Sequence, residues 1–241
     1  MLELFSKRGK TRFMGKSLFV AGTGTDVGKT YVTALIVKKL RKSGKNAGYY
    51  KAAISGAERD EQGELLPGDA LYVNETARIG EQTSRLVSYV YPEAVSPHLA
   101  AKLNHCPIDF QKVARDFQSA RERYDYLTME GSGGIVCPLR WDDQEHLGLD
   151  DLGHKLGLSV LVVAHAGLGT INSTVLTIEH LRMREIPVKG ILLNHFHPGD
   201  IMEEDNRRMV TEMTGVPVLA VIQENAAELE MDAGVLASLY E

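Results

Sequence analysis

The chain has 241 residues, 44% of them hydrophobic and 24% charged, which is enough apolar material for one large α/β domain. A formal net charge of -5 excludes the broad basic footprint of a nucleic-acid binder, so an anionic ligand has to be held by locally placed cations. Two cysteines, Cys106 and Cys137, without a C-x-x-C pair and without a secretory or membrane-spanning stretch, make a reduced cytoplasm the expected setting, with neither nucleic acid nor membrane as partner. Residues 1–13 carry Lys7, Arg8, Lys10 and Arg12, and residues 1–15 read as a flexible extension ahead of a single domain at 16–241. Apolar runs bounded by turn residues follow at 17–22, 46–52, 124–131, 158–166, 188–196 and 216–222. Apolar spacing of three and four predicts helices over 28–43, 108–122, 170–185 and 200–214. Strands that are hydrophobic throughout and alternate with such helices predict right-handed crossovers and a mostly parallel sheet covered on both faces. Residues 53–107 fit this alternation poorly: "GAERDEQGELLPGD" reads as loop and "DALYVNETARIG" as a short helix, together an insertion that shapes a substrate site.

The segment "FVAGTGTDVGKT", residues 19–30, is a strand, a glycine- and threonine-rich turn and a helix start. Backbone N–H groups from Gly24 to Thr30 and the positive end of the helix suit phosphates, with Lys29 reaching the outer ones and the Thr30 hydroxyl facing magnesium. The usual P-loop spacing asks for glycine at position 23, where Thr23 stands between Gly22 and Gly24. Ligands of a parallel sheet collect beyond the carboxyl ends of its strands, and the other strands deliver Lys51 and Ser55, Glu130 before "GSGG", and Asn194 to those ends. Glu130, with an acid such as Asp69, suits the carboxylate role beside a magnesium ion. A lysine finishing a buried strand, as Lys51 does, calls for an anionic partner.

A second glycine turn, "AGLGTINSTVLT" at 166–177, opens another helix, with Thr170, Asn172 and Ser173 as candidate caps; a plain capped helix and a carboxylate site both fit it. His195 and His197 form an H-x-H pair without a third ligand at metal spacing and read as loop. Neither a nucleophile elbow nor a Cys–His pair points to covalent catalysis.

Taken in order, "GTGTDVGKT", "YYKAAISG", "GDALYV", "SPHLAA", "MEGSGG", "LVVAHAGLGTINSTVLT" and "LLNHF" resemble the motifs of dethiobiotin synthetases over about residues 16–225. In that family the P-loop carries one extra residue, which accounts for Thr23. The resemblance implies an α/β, P-loop NTPase-like fold, a mostly parallel sheet flanked by helices on both faces. It also implies an ATP- and Mg2+-dependent ring closure of 7,8-diaminononanoate (7,8-diaminopelargonate) with CO2, through a carbamate and a carbamic-phosphoric anhydride, to dethiobiotin, ADP and phosphate. By motif match, Lys29 and Lys51 would be the catalytic cations. Thr25, Asp26, Val27, Gly28, Lys29, Thr30 and Tyr31 would hold ATP, with Asn194 at the adenine. Thr30, Asp69 and Glu130 would surround magnesium, Ser55 would touch substrate, and Gly169, Thr170, Ile171 and Asn172 would receive the substrate carboxylate across a homodimer interface.

The sequence departs from the family at Ala52 and Ala53, which stand in "YKAA" where "YKPV" is common, at His165, and at Leu219 to Gln223 near the expected adenine pocket; a relaxed nucleotide preference is the expectation there. Partition and septum-site ATPases, a rival on the same broad fold, carry a signature lysine five residues before the P-loop lysine, where this chain has Gly24. The glutaminase domain of an amidotransferase-type synthetase has no room in 241 residues.

Overall fold

The computed structural model describes residues 14–241, so the basic segment 1–13 lies outside the described residues. The elements run β1 (Lys16–Gly22), α1 (Lys29–Lys42), β2 (Ala47–Ile54), β3 (Glu58–Arg59), β4 (Leu65–Leu66), α2 (Gly68–Thr76), β5 (Val87–Val90), α3 (Pro97–Leu103), α4 (Phe110–Arg121) and β6 (Tyr126–Gly134). They continue with β7 (Pro138–Trp141), β8 (His146–Gly148), α5 (Leu149–Lys155), β9 (Val160–His165), α6 (Thr170–Met183), β10 (Val188–Asn194), α7 (Ile201–Thr214), β11 (Val218–Ile222) and α8 (Ala233–Ser238). Seven strands form one sheet in the order β11-β10-β9-β1-β6-β2-β5, and every pairing in it is parallel.

Side chains alternate across each strand, so the central strands feed two cores. Leu18, Val20 and Tyr49 join a core with α1, α2 and α8, whereas Phe19, Ala21 and Tyr50 join one with α4 and α5 on the other face. A third cluster, with Ile178, Ile191 and Val210, seats α6 and α7 against β9 and β10. Because all seven strands point the same way, their carboxyl ends gather at one edge.

The six predicted strands and four predicted helices form, with ends moved by a few residues. The segment 53–107 needs correction: only part of it is an insertion, because Val87–Val90 is the seventh strand of the sheet, pairing with β2. A four-residue strand with Ser88 in it carries too little periodicity to stand out. The short helices α3, α5 and α8, of seven, seven and six residues, escape for the same reason.

Candidate active site

The turn between β1 and α1 is built on backbone freedom. Asp26 and Gly28 adopt positive φ, 59° and 85°, and Gly28 caps α1 without a side-chain hydrogen bond. A Cβ on Gly28 would lie 2.1 Å from Asn194 Nδ2, and one on Gly22 would lie 2.9 Å from Lys29 Cδ. Glycine is required at both positions, because a lysine stem and an amide occupy the space a side chain would need. The turn curls around Lys29, whose Nζ donates to the carbonyl of Gly24 at 2.8 Å, so its outer face presents backbone donors and the helix start.

Beside this cradle, β2 and β6 pair with Lys51 opposite Glu130. Lys51 Nζ donates to Glu130 Oε1 and to Asp69 Oδ2, both at 2.6 Å, and Thr30 Oγ1 donates to the same Glu130 oxygen at 2.7 Å, with Asp69 Oδ1 3.2 Å away as its other acceptor within reach. Asp69 sits in the first turn of α2, where the helix dipole favours an acid. Lys51 and Glu130 are buried, so the arrangement exists only because the two charges satisfy each other. Burial pulls the Lys51 ammonium down, but the Glu130 and Asp69 carboxylates outweigh it and raise its pKa. Asp69 moves the opposite way: burial pushes it up, Lys51 more than offsets that, and it ends below the usual carboxylate range. Lys29, which has no carboxylate in direct contact among the described residues, is lowered by burial first and by the Lys51 charge second.

The cleft over these groups has a volume of about 540 Å³. It brings together the expected Thr25, Asp26, Gly28, Lys29, Thr30, Tyr31, Lys51, Ser55, Asp69 and Glu130. Val27 is buried and turns into the core below α1. Sequence reasoning missed Tyr72, Ser132 and Gly133 on the cleft wall and Tyr49 behind it. Tyr72 lies three residues after Asp69 on the same helix, a spacing that marks a shared face. Tyr49 lies two residues before Lys51 on one strand face, a signal available from the period of two alone. The fully buried Tyr49 hydroxyl donates to Glu130 Oε2 at 3.0 Å, and burial, then the Glu130 charge, drives its pKa well above the ordinary tyrosine value.

Two sets of expected residues stand apart from this cleft. Asn194 is buried at the end of β10, its Nδ2 donating to the Val27 carbonyl at 3.0 Å while its Oδ1 has no partner among the described residues. Such an orphaned acceptor beside the P-loop suits a ligand's donor. Gly169, Thr170, Ile171 and Asn172 begin α6 and do not line the cleft. Asn206 pins that turn by donating to the carbonyls of Ala166 and Gly167, at 2.9 and 3.1 Å. The His195–His197 loop closes on acids: His197 Nδ1 lies 3.0 Å from Glu203 Oε1 and His195 Nδ1 3.5 Å from Glu224 Oε1.

A glycine cradle at a helix start, two cations and a hydroxyl with two carboxylates make a site suited to phosphoryl chemistry. The donors that converge at Thr30 are hard oxygens, without sulfur or imidazole, and number too few for an all-protein cage, which is the way magnesium is held beside substrate phosphates. Comparison with known proteins narrows the chemistry. An AAA domain family model matches residues 16–229. The ATP-dependent dethiobiotin synthetase BioD of Clostridium botulinum strain Langeland is 47% identical over 228 residues, covering 95% of this chain and 99% of the relative. The chain belongs to the dethiobiotin synthetase family. The ATP-dependent dethiobiotin synthetase BioD of Brachyspira hyodysenteriae is 40% identical, over 95% of this chain and all of its own length.

Solved structures place the same synthetase chain on a wider fold. It is similar to the MinC:MinD cell division complex of Aquifex aeolicus, with a TM-score of 0.53, 16% identity and coverage of 88% and 82% of the two chains. A ParA family ATPase of Chlorobium tepidum gives 0.51, 12%, 87% and 85%. At these identities the likeness shows the P-loop NTPase architecture alone. The synthetase is thus an ATP-dependent enzyme of biotin synthesis on a MinD-like sheet. No helix among its described residues is long and apolar enough to cross a membrane.

Proposed function

We propose that the enzyme closes the ureido ring of dethiobiotin from 7,8-diaminononanoate, CO2 and ATP in the cytoplasm, as a single domain over 16–241. One amine adds to CO2, forming a C–N bond and losing a proton, to give a carbamate. A carbamate oxygen attacks the γ-phosphorus of ATP, and ADP leaves. The second amine attacks the carbonyl carbon of the resulting anhydride, phosphate leaves, and the amine loses its proton. Every step joins small groups without a protein nucleophile, so positioning and charge compensation carry the catalysis.

In this reading the turn from Thr25 to Thr30 cradles the triphosphate, with Lys29 and Lys51 offsetting charge on phosphate and carbamate. Tyr31 borders the nucleotide, Val27 shapes the turn from beneath, and Ser55 meets the diamine. Thr30, Asp69 and Glu130 would hold Mg2+, which supplies neutralisation of phosphate charge when bound. The free Asn194 Oδ1 suits the amino group of adenine. Cys106 and Cys137 are both free thiols, consistent with a reducing compartment.

The turn at 169–172 fits the substrate carboxylate of a second copy. Beside it, Leu168 in the turn and Leu176 and Met183 on α6 are 93%, 61% and 75% exposed, apolar surface that a homodimer would cover. The observation that carries the whole reading is the convergence of Lys29, Thr30, Lys51, Asp69 and Glu130 on one cleft in a chain of this family. Its test is phosphate release from ATP with bicarbonate and magnesium, with and without 7,8-diaminononanoate, with the product identified by mass. Dethiobiotin formed in step with phosphate is expected; hydrolysis indifferent to the diamine would overturn the reading.

A further inference from the structure

The buried side chains of the site form a layered arrangement on one sheet face. On β2, Tyr49 and Lys51 are two residues apart and share that face, and on the neighbouring β6 their register partners are Thr128 and Glu130. Thr128 is closed off by its own contact, its Oγ1 lying 2.6 Å from the Tyr240 hydroxyl. Tyr49 therefore reaches diagonally, past its register partner, to Glu130 Oε2. The other carboxylate oxygen, Oε1, takes both Thr30 and Lys51. The two oxygens of Glu130 are thus divided: one faces the core and one faces the cleft.

We infer that Tyr49 is a positioning residue of the site, its core-buried hydroxyl holding Glu130 Oε2 so that Oε1 alone is presented to the cleft. The inference rests on the proposed role of Glu130 beside magnesium. A carboxylate on a two-carbon stem can rotate, and a buried one that rotates loses its partners; a fixed donor on the core side removes that freedom. Its benefit is a preset oxygen for a cation that tolerates little departure from its preferred geometry. Tyrosine suits the task because its ring fills the core between α1 and the sheet, fully buried, while its hydroxyl emerges at the ionic cluster.

Tyr50 provides an internal control. It is equally buried, but on the opposite face, where its hydroxyl contacts Ser88 Oγ at 2.6 Å and donates to the Val113 carbonyl at 3.1 Å. Removing either hydroxyl leaves the ring volume in place and deletes one buried donor, so both changes carry the cost of a lost core hydrogen bond, and only one touches Glu130.

The experiment is a magnesium titration of binding by the full chain to a non-hydrolysable ATP analogue, with melting curves, for wild type, Tyr49→Phe, Tyr50→Phe, Glu130→Gln and the Tyr49→Phe/Glu130→Gln double variant. Turnover at saturating magnesium is the second readout. Tyr49→Phe is expected to raise the magnesium requirement by about tenfold, the lower end of the range for partners that orient a metal-holding group. Saturating magnesium should largely restore its turnover, Tyr50→Phe should leave the titration where it was, and the double variant should be no worse than Glu130→Gln alone. An unchanged titration for Tyr49→Phe beside a weakened Glu130→Gln overturns the role of Tyr49 and leaves that of Glu130. Equal shifts for Tyr49→Phe and Tyr50→Phe assign the effect to core stability and also overturn it. No shift in any variant, Glu130→Gln included, removes the magnesium reading on which the inference rests.

Discussion

Two glycine turns lie side by side in this molecule and share almost the same backbone. Gly28 and Gly169 both precede a helix that follows a parallel strand, both sit in the left-handed region at φ 85° and 90°, and neither helix has a side-chain cap. Their surroundings separate them. The space a Cβ would need at Gly28 is filled by Asn194, whereas at Gly169, its chain neighbours aside, no atom of the described residues lies within 4 Å of the same point. The first helix opens with a buried lysine followed by Thr30 against two carboxylates; the second opens with buried Thr170 against Thr174, beside the exposed Leu168. One turn is closed by its own chain, and the other faces outward. A helix start provides donors; what encloses it decides whose ligand it takes.

The largest test of the closed turn is Lys51→Ala. It leaves Glu130 buried without its cation, so turnover is expected to fall by at least roughly 100-fold, the scale of losing one preorganised electrostatic group. The same change should destabilise the fold by about 3–5 kcal/mol, as loss of one partner of a buried pair does. An unaltered melting temperature would mean that Glu130 is protonated or reaches water in the variant, and wild-type turnover would remove Lys51 from the chemistry.

A matched pair of glycine substitutions separates the two turns. Gly169→Ala should show only the left-handed strain of about 1–2 kcal/mol. Gly28→Ala adds a clash with Asn194 and should lose more stability, together with nucleotide binding. Equal melting shifts would show that enclosure does not distinguish the two turns. Leu176→Glu, placed on the open side, should weaken self-association on the order of tenfold or more. It should also raise the KM for the diamine while leaving binding of the ATP analogue unchanged, as read by sedimentation and steady-state kinetics.

The smallest effect is a pH dependence. Because burial lowers the Lys29 pKa, the free enzyme should lose kcat/KM for ATP on the alkaline side below pH 10.5, the ordinary lysine value. The native state then holds fewer protons at Lys29 than the unfolded chain between the lowered and ordinary values, so this group's contribution to stability rises with pH across that window. Lys29→Met should erase that slope in melting curves, whereas a change at Gly169 should not touch it.

Legibility followed the length scale of each feature. The P-loop was readable because its chemistry lies within twelve consecutive residues, and Lys51 and Glu130 because each ends a long apolar run. Asp69 was readable as an acid near a helix start, yet its approach to Thr30 and Lys51 depends on how α2 packs on α1. β5 was not readable, since four residues carry almost no period, and it becomes a strand because β2 offers it an open edge. The period of two already puts Tyr49 on the Lys51 face, but its meeting with Glu130 depends on the register between β2 and β6, which "YYK" does not encode. Thr170, Asn172 and Ser173 read as caps, but none of these side chains caps α6, whose N-cap is Gly169; the Ser173 hydroxyl turns back to the carbonyls of Gly169 and Thr170 instead.

By itself the sequence determined the alternation of strands and helices, the phosphate cradle and the charged groups at the strand ends, because hydrophobic period and turn chemistry are local. The tertiary structure alone decided that Lys51 lies opposite Glu130, that Tyr49 grips the far oxygen of that carboxylate and that one glycine turn is closed while its twin is open. Those facts are set by strand register and by which helix covers which edge, contacts between residues tens to more than a hundred positions apart that no local pattern encodes.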